Sequence, residues 1–190
     1  MNNIHPTAII FDNVEIGDNN IIGAYCVIGG PLLRDDKDLC NGKIIIGNNN
    51  YFESFIYVES PHISKETRFG NSNKIFSGCF ISHDVQIHNR VFITPGCVIA
   101  GTVTIQDKVN LGIGTKVIER LTIGMGARTG AGAVVIRDVL PYDTVVGNPT
   151  RSIGLNTKNL KKKVAQKSGM TKLIYILLMQ LWKLFYKLIK

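Results

Sequence analysis

The sequence of 190 residues is poor in features that mark several common classes of protein. Its four cysteines, Cys26, Cys40, Cys79 and Cys97, fit neither a CxxC zinc site nor a small disulfide framework, which indicates free thiols in a reducing compartment. No apolar run reaches the roughly 18 residues that a membrane-spanning helix needs. Residues 1–11 lack the basic start and apolar stretch of a signal peptide. We therefore expect a cytoplasmic location.

Acidic residues are missing from the end of the chain. Residues 1–156 carry 13 Lys and Arg against 14 Asp and Glu, whereas residues 157–190 carry nine lysines and no acid. The net charge of +8 therefore resides in the tail. Because a nucleic-acid surface is more often part of the fold, we expect no nucleic-acid partner. A basic tail is more typical of contact with anionic lipid.

A repeat with a period of six dominates the rest of the chain. From Phe69, eleven of twelve positions spaced by this period are large and apolar: Phe69, Ile75, Ile81, Ile87, Ile93, Ile99, Ile105, Leu111, Val117, Ile123, Thr129 and Val135. Residues four positions later are mostly small or β-branched, and the same step links Ile4, Ile10, Ile16, Ile22 and Ile28. A helix repeats every 3.6 residues and a strand every two. A period of six instead indicates short strands separated by turns, as in a parallel β-helix.

This pattern predicts an all-β domain over residues 1–155, followed by an α-helical tail over 156–190. An ordinary β-sandwich would not keep so many hexads in register. Glycine, asparagine and aspartate occupy the turns, as in Ile16-Gly-Asp-Asn-Asn. The period is interrupted by a polar loop insertion at 31–43 and weakens around 61–68.

The Ile-Gly-Asp-Asn segment and the Ile-x-x-x-Val hexads resemble the hexapeptide-repeat acyltransferases. The resemblance implies a left-handed parallel β-helix in which three hexads make one triangular coil. It also implies a homotrimer with active sites in the clefts between neighbouring subunits. In that geometry Cys79 and Cys97 lie one coil apart at an inward position.

His83 is the leading catalytic candidate. It closely follows the inward Ile81 and should point outward, and Gly101 lies three hexads later, one coil above it. Acyl transfer requires a base for the acceptor and a donor for the tetrahedral oxyanion. A glycine above the histidine leaves room for a substrate and exposes a backbone N–H.

The Ser-His-Asp and Ala-Gly-Thr-Val segments resemble those of the UDP-N-acetylglucosamine acyltransferases and bacterial sugar acetyltransferases. The resemblance implies that His83 is the general base and that the Gly101 amide holds the oxyanion. Asp84 would orient His83 or cap the turn. The loop containing Asp35 and Lys37 resembles a substrate-binding loop.

The chain departs from the UDP-N-acetylglucosamine acyltransferase pattern at three positions. Further histidines of that family fall on Phe80, Thr102 and Ile118, and the C-terminal region is too short. These departures argue against the lipid A enzyme itself.

The end of the repeat resembles the acetyl-coenzyme A branch of the family. This resemblance implies that Ala131, Arg137 and Arg151 line a coenzyme groove, with Ile113 as a further cofactor-binding candidate. Arginine suits coenzyme phosphates because its planar fork offers several donors. The leading prediction is therefore acetyl transfer from acetyl-CoA to a hydroxyl or amine of a nucleotide sugar or lipid-linked saccharide in bacterial surface glycan synthesis. The alternative in the same class uses an acyl carrier protein as donor.

Two further functions are compatible with the sequence. A zinc enzyme like the γ-type carbonic anhydrases would use His62, His83 and His88 as ligands. A β-helix could also serve as a non-catalytic scaffold. The acyltransferase interpretation predicts no metal.

Residues 170–190 are rich in helix formers. On a helix the polar residues Lys172, Gln180, Lys183, Lys187 and Lys190 form one stripe. The segment is either an interfacial helix on the inner face of the cytoplasmic membrane or a helix packed on its own β-helix or on a neighbouring subunit of a trimer.

Overall fold

The chain winds into a parallel β-helix in which each coil adds one short strand to each of three sheets. A computed structural model describes residues 1–30, 42–64 and 66–155, together with Leu177, Gln180, Leu181 and Leu184. Strands enter the three sheets in rotation, so strands three apart in sequence are hydrogen-bonded neighbours along most of the helix. This topology confirms the parallel β-helix that the hexad repeat predicts.

The strands are numbered along the chain and grouped by sheet. The first sheet contains β1 (Asn3–Ile4), β4 (Ile21–Ile22), β7 (Tyr51–Phe52), β10 (Lys74–Ile75), β13 (Phe92–Ile93), β16 (Asn110–Leu111), β19 (Arg128–Thr129), β21 (Asp143–Val146) and β22 (Arg151–Leu155). The second contains β2 (Ile9–Ile10), β5 (Val27–Gly30), β8 (Tyr57–Glu59), β11 (Phe80–Ile81), β14 (Val98–Ile99), β17 (Lys116–Val117) and β20 (Val134–Val135). The third contains β3 (Val14–Ile16), β6 (Lys43–Ile46), β9 (Glu66–Phe69), β12 (Gln86–Ile87), β15 (Thr104–Ile105) and β18 (Thr122–Ile123).

The register of the strands sets a regular coil of three hexads. Ile81 on β11 is paired with Ile99 on β14, and Ile99 with Val117 on β17. All three side chains are buried, because each short strand directs one aliphatic residue to the axis of the helix. Cys79 and Cys97 occupy the small inward position of consecutive coils and are buried free thiols, as predicted.

Two coils are longer than the others. Ile22 is the register partner of Phe52, and Phe52 is the partner of Ile75, so both steps exceed the three hexads of a regular coil. In both coils the extra residues lie between the second and third sheets, after β5 and after β8. We call this turn between the second and third sheets the His83 corner, since His83 lies in it, between β11 and β12. The His83 corners of successive coils stack along one edge of the helix. Lys43, which the sequence assigns to the first insertion, instead begins β6.

The last coil closes with an antiparallel pair, β21 and β22. Most of the predicted tail lies outside the described residues. The four that are described are helical, and Leu177, Leu181 and Leu184 are exposed. Among the described residues, no helix has the length and apolar character needed to cross a bilayer.

Candidate active site

His83 projects from the His83 corner, directly after the buried Ile81 and Ser82. Its side chain retains 23% of its exposure, so the imidazole is partly enclosed yet reachable by a substrate. Ser82, the residue before it, donates its hydroxyl to Glu59 in the coil below. This bond joins the corner to the coil below, on the side of His83 that faces the second sheet.

Asp84 holds the imidazole from the other side. Its Oδ2 lies 2.7 Å from Nδ1 of His83, and its carboxylate is inaccessible to solvent. The same carboxylate accepts backbone N–H bonds from His62 (3.2 Å), Ile63 (2.8 Å) and Ser64 (2.7 Å), and a bond from the Ser64 hydroxyl (2.6 Å). Asp84 therefore orients the histidine, as the first of its two predicted roles requires, and also anchors the loop of the coil below.

These contacts favour the ionised form of Asp84. Burial opposes the charged form, but hydrogen bonds from Ser64, Ile63 and His83 outweigh it and hold the pKa of the carboxyl below its usual value. An ionised carboxylate can only accept hydrogen bonds, so Nδ1 of His83 must be the donor. The lone pair of a neutral imidazole is then on Nε2, the nitrogen that can take a proton from a substrate.

Gly101 lies against the imidazole one coil above. A β-carbon at this position would come within 2.4 Å of Cε1 and 2.6 Å of Nε2 of His83, so only glycine fits beside the ring as it stands. The backbone N–H of Thr102 donates to the carbonyl of His83 and keeps the two corners stacked. Across the described part of the chain, the Gly101 N–H donates to no protein group.

The geometry therefore assembles the parts of an acyl-transfer site at one corner. An oriented imidazole presents a basic nitrogen, and an unused backbone N–H lies on the adjacent coil, where it can stabilise an oxyanion. The three-hexad spacing predicts this pairing of His83 and Gly101, and the structure places the two residues in contact.

The four predicted cofactor-binding residues divide between two edges. Arg137 lies in the same corner column as His83, three coils above, because β11, β14, β17 and β20 are in register. Ile113 and Ala131 lie at the corner between the first and second sheets, where the Gly132 N–H donates to the Ile113 carbonyl. Arg151 begins β22, directly after Thr150, whose N–H bonds the second-sheet strand β20. Of these four residues, only Arg137 shares an edge of the helix with His83.

Asp35 and Lys37, the predicted substrate-binding residues, lie outside the described residues. The ends of their loop are described: Gly30 ends β5 and Gly42 precedes β6. The loop therefore leaves and re-enters at the His83 corner, two coils below His83.

The three histidines of the zinc alternative are not brought together. His88 follows β12 at the corner between the third and first sheets, a different edge from that of His83. Within the described ranges no cluster of three histidine, cysteine or acidic side chains could hold a metal ion.

The sequence names His62 only as a ligand of the zinc alternative and does not predict that it lies beside His83. It lies in the second insertion, and its ring centroid is 5.5 Å from that of His83. The hexad lapses in this stretch, so the period does not assign the residue to a face. The only available signal was that both insertions fall between a second-sheet and a third-sheet strand.

An aromatic surface borders the site on the outer face of the second sheet. Tyr57 on β8 and Phe80 on β11 stack in parallel, with ring centroids 5.7 Å apart and planes 4° from parallel. Burial, and secondarily the nearby Glu59 carboxylate, raise the pKa of Tyr57. The second sheet thus carries a stacked aromatic pair close to the Glu59 carboxylate.

Comparison with known proteins agrees with this arrangement. No family model matches the chain. The chain is 37% identical to an acyl-[acyl-carrier-protein]–UDP-N-acetylglucosamine O-acyltransferase of Syntrophobacter fumaroxidans, over 84% of this chain and 77% of that protein. It is 41% identical to the protein of the same name from a Psychrobacter species, over 86% of this chain and 78% of that protein.

Solved structures show the same fold. The UDP-N-acetylglucosamine acyltransferase of Bacteroides fragilis superposes with a TM-score of 0.73 at 22% identity, over 85% of this chain and 64% of that one. At this identity the likeness concerns the fold alone.

Proposed function

Because the chain belongs to the family of the acyl-[acyl-carrier-protein]–UDP-N-acetylglucosamine O-acyltransferases, we propose that it transfers an acyl group from an acyl carrier protein to a hydroxyl of a UDP-linked amino sugar. The observation that carries the proposal is the His83–Asp84 pair beside Gly101, whose N–H donates to no group among the described residues. The acetyl-CoA donor that the sequence favoured becomes the second candidate.

The proposed reaction uses the two groups in turn. Nε2 of His83 takes the proton of the acceptor hydroxyl while its oxygen attacks the thioester carbonyl of the donor. The Gly101 N–H donates to the oxyanion of the tetrahedral intermediate. Collapse of this intermediate breaks the carbon–sulfur bond, and the imidazolium returns the proton to the departing thiolate. The ester product and the free thiol then leave.

Asp84 supports both halves of this cycle. Its ionised carboxylate keeps the Nδ1 proton in place and stabilises the imidazolium that forms during the reaction. The five hydrogen bonds that it accepts prevent it from turning away.

Acetyl-CoA remains a second candidate donor because of one observation. Arg137 is exposed and lies in the corner column of His83, where its guanidinium could bind a coenzyme phosphate. In this case Arg137→Ala should raise the KM for acetyl-CoA and leave the KM for the acceptor unchanged.

A donor comparison tests the proposal. The purified protein is incubated with UDP-N-acetylglucosamine and one donor at a time. The donors are acyl carrier proteins that bear acyl chains of several lengths, and acetyl-CoA. The products are identified by mass spectrometry. We expect an acylated nucleotide sugar with the carrier-protein donor. Acetylated product from acetyl-CoA alone supports the second candidate, and absence of transfer from every donor contradicts the proposed function.

A further inference from the structure

The second insertion is fixed in place at both ends. At its start, the Ser60 hydroxyl donates to the Gly29 carbonyl (2.8 Å) and accepts from the Asn13 amide (3.0 Å). At its end, Ser64 donates its backbone N–H and its hydroxyl to Asp84. The segment between these anchors therefore has a defined position relative to the base.

His62 lies between the two anchors and beside the base. Its backbone N–H bonds Asp84, and its ring is tilted 48° to that of His83. The side chain is half-buried, and neither ring nitrogen has a hydrogen-bond partner among the residues the structure describes. Two polar atoms are thus presented at the site without a protein partner.

Two neighbours of His83 are fixed. Asp84 binds its Nδ1, and Gly101 lies against the ring from the coil above, where the lack of a side chain leaves room beside Nε2. His62 lies beside the ring from the coil below and brings two polar ring atoms to the site. A neutral imidazole offers one donor and one acceptor, which matches sugar hydroxyl and amide groups that can do either.

We propose that His62 binds the acceptor sugar, by a hydrogen bond to a polar substituent next to the hydroxyl that His83 deprotonates. This inference rests on the proposed function and assigns an acceptor-specificity role to a residue outside the His83–Asp84–Gly101 set. His62 contacts the acceptor away from the reacting atoms. Its loss should therefore weaken acceptor binding more than it slows the chemical step.

Two substitutions separate hydrogen bonding from packing. His62→Phe keeps a ring of similar shape beside His83 and removes both nitrogens, whereas His62→Gln keeps an amide that can donate and accept. His88→Phe is the matched control, because His88 is exposed at another corner. Initial rates are measured with UDP-N-acetylglucosamine varied at saturating acyl-carrier protein, and then the reverse.

We expect His62→Phe to raise the KM for UDP-N-acetylglucosamine about fivefold to tenfold, the loss that one hydrogen bond represents. The KM for the donor and the melting temperature should stay the same, His62→Gln should recover part of the loss, and His88→Phe should behave as wild type. An unchanged acceptor KM in His62→Phe overturns the inference. A fall in kcat alone does so as well, since it indicates packing against the base. Failure of the proposed function is distinguishable, because wild-type protein would then show no transfer before any variant is made.

Discussion

At the level of single residues, the proposed base is defined by the groups that surround the His83 ring. Asp84 fixes its tautomer, Gly101 fixes its position from above, and His62 borders it from below. Proton transfer depends on hydrogen-bond reach to the acceptor, so a small displacement of the ring has a large effect on rate.

Gly101→Ala should displace the imidazole. The added methyl group would lie 2.4 Å from Cε1 of His83, and the ring cannot retreat without breaking its bond to Asp84. We expect kcat to fall by about 100-fold, the effect of a misplacement of roughly 1 Å, with a melting temperature close to wild type. Glu119→Ala, at the next position of the same corner column, is the control and should retain activity. Full activity of Gly101→Ala would contradict the contact.

Asp84→Asn should alter how stability depends on pH. The folded pKa of Asp84 lies below its usual value, so its charge stabilises the fold above the unfolded pKa of about 3.9. This stabilisation is lost as the pH falls through the folded pKa. The free energy of unfolding, measured in urea at pH 7, 5 and 3, should therefore differ most between wild type and Asp84→Asn at pH 7 and least at pH 3.

The control for this measurement is Asp12→Asn, since Asp12 is exposed. Its stability curve should run parallel to that of wild type. A difference between wild type and Asp84→Asn that stays constant from pH 7 to pH 3 would show that the charge of Asp84 is not responsible.

At the level of structural elements, the early coils are joined by a buried asparagine ladder. Asn20, Asn50 and Asn73 occupy the inward corner position of successive coils and are buried. Oδ1 of Asn20 accepts the N–H of Asn50, and Oδ1 of Asn50 accepts the N–H of Asn73. The ladder ends where Asn73 binds the N–H of Val91, because apolar residues take over the position from that coil onward.

Asn50→Ala should destabilise the helix. It removes the acceptor of the Asn73 N–H and the donor to the Gly70 carbonyl, both 2.9 Å contacts in the interior. We expect the free energy of unfolding to fall by about 1–3 kcal/mol, the cost of buried groups left unpaired. Asn71→Ala removes a comparable acceptor at the exposed face, where water replaces it, and should lower stability much less. Equal losses in chemical denaturation would contradict the role of the ladder.

The hexad explains which elements the sequence predicts and which it does not. Wherever one aliphatic residue recurs at every sixth position, the strand, its inward side chain and its coil follow, so His83 and Gly101 are placed one above the other. The contact of His62 with His83 has no such signal, because its loop is positioned by hydrogen bonds to Asp84 from a later coil. Such bonds depend on three-dimensional closure rather than on local period.

At the scale of the whole molecule, most of the candidate site residues lie along one edge of the β-helix. Both insertions, His83 and the Arg137 column belong to the His83 corner, whereas Ile113 and Ala131 lie across the second sheet. Interruptions of a regular coil are where binding residues tend to occur. The stacked coils thus fix the position of His83, and the described second insertion lies next to it.

The measurement that tests the central claim most directly is the single-turnover rate of acyl transfer to UDP-N-acetylglucosamine by His83→Ala. Loss of the general base should lower this rate by about 100-fold to 10,000-fold relative to wild type. The protein should remain folded, because Asp84 keeps its four hydrogen bonds from His62, Ile63 and Ser64. A rate that stays close to the wild-type value in a folded His83→Ala protein would contradict the account.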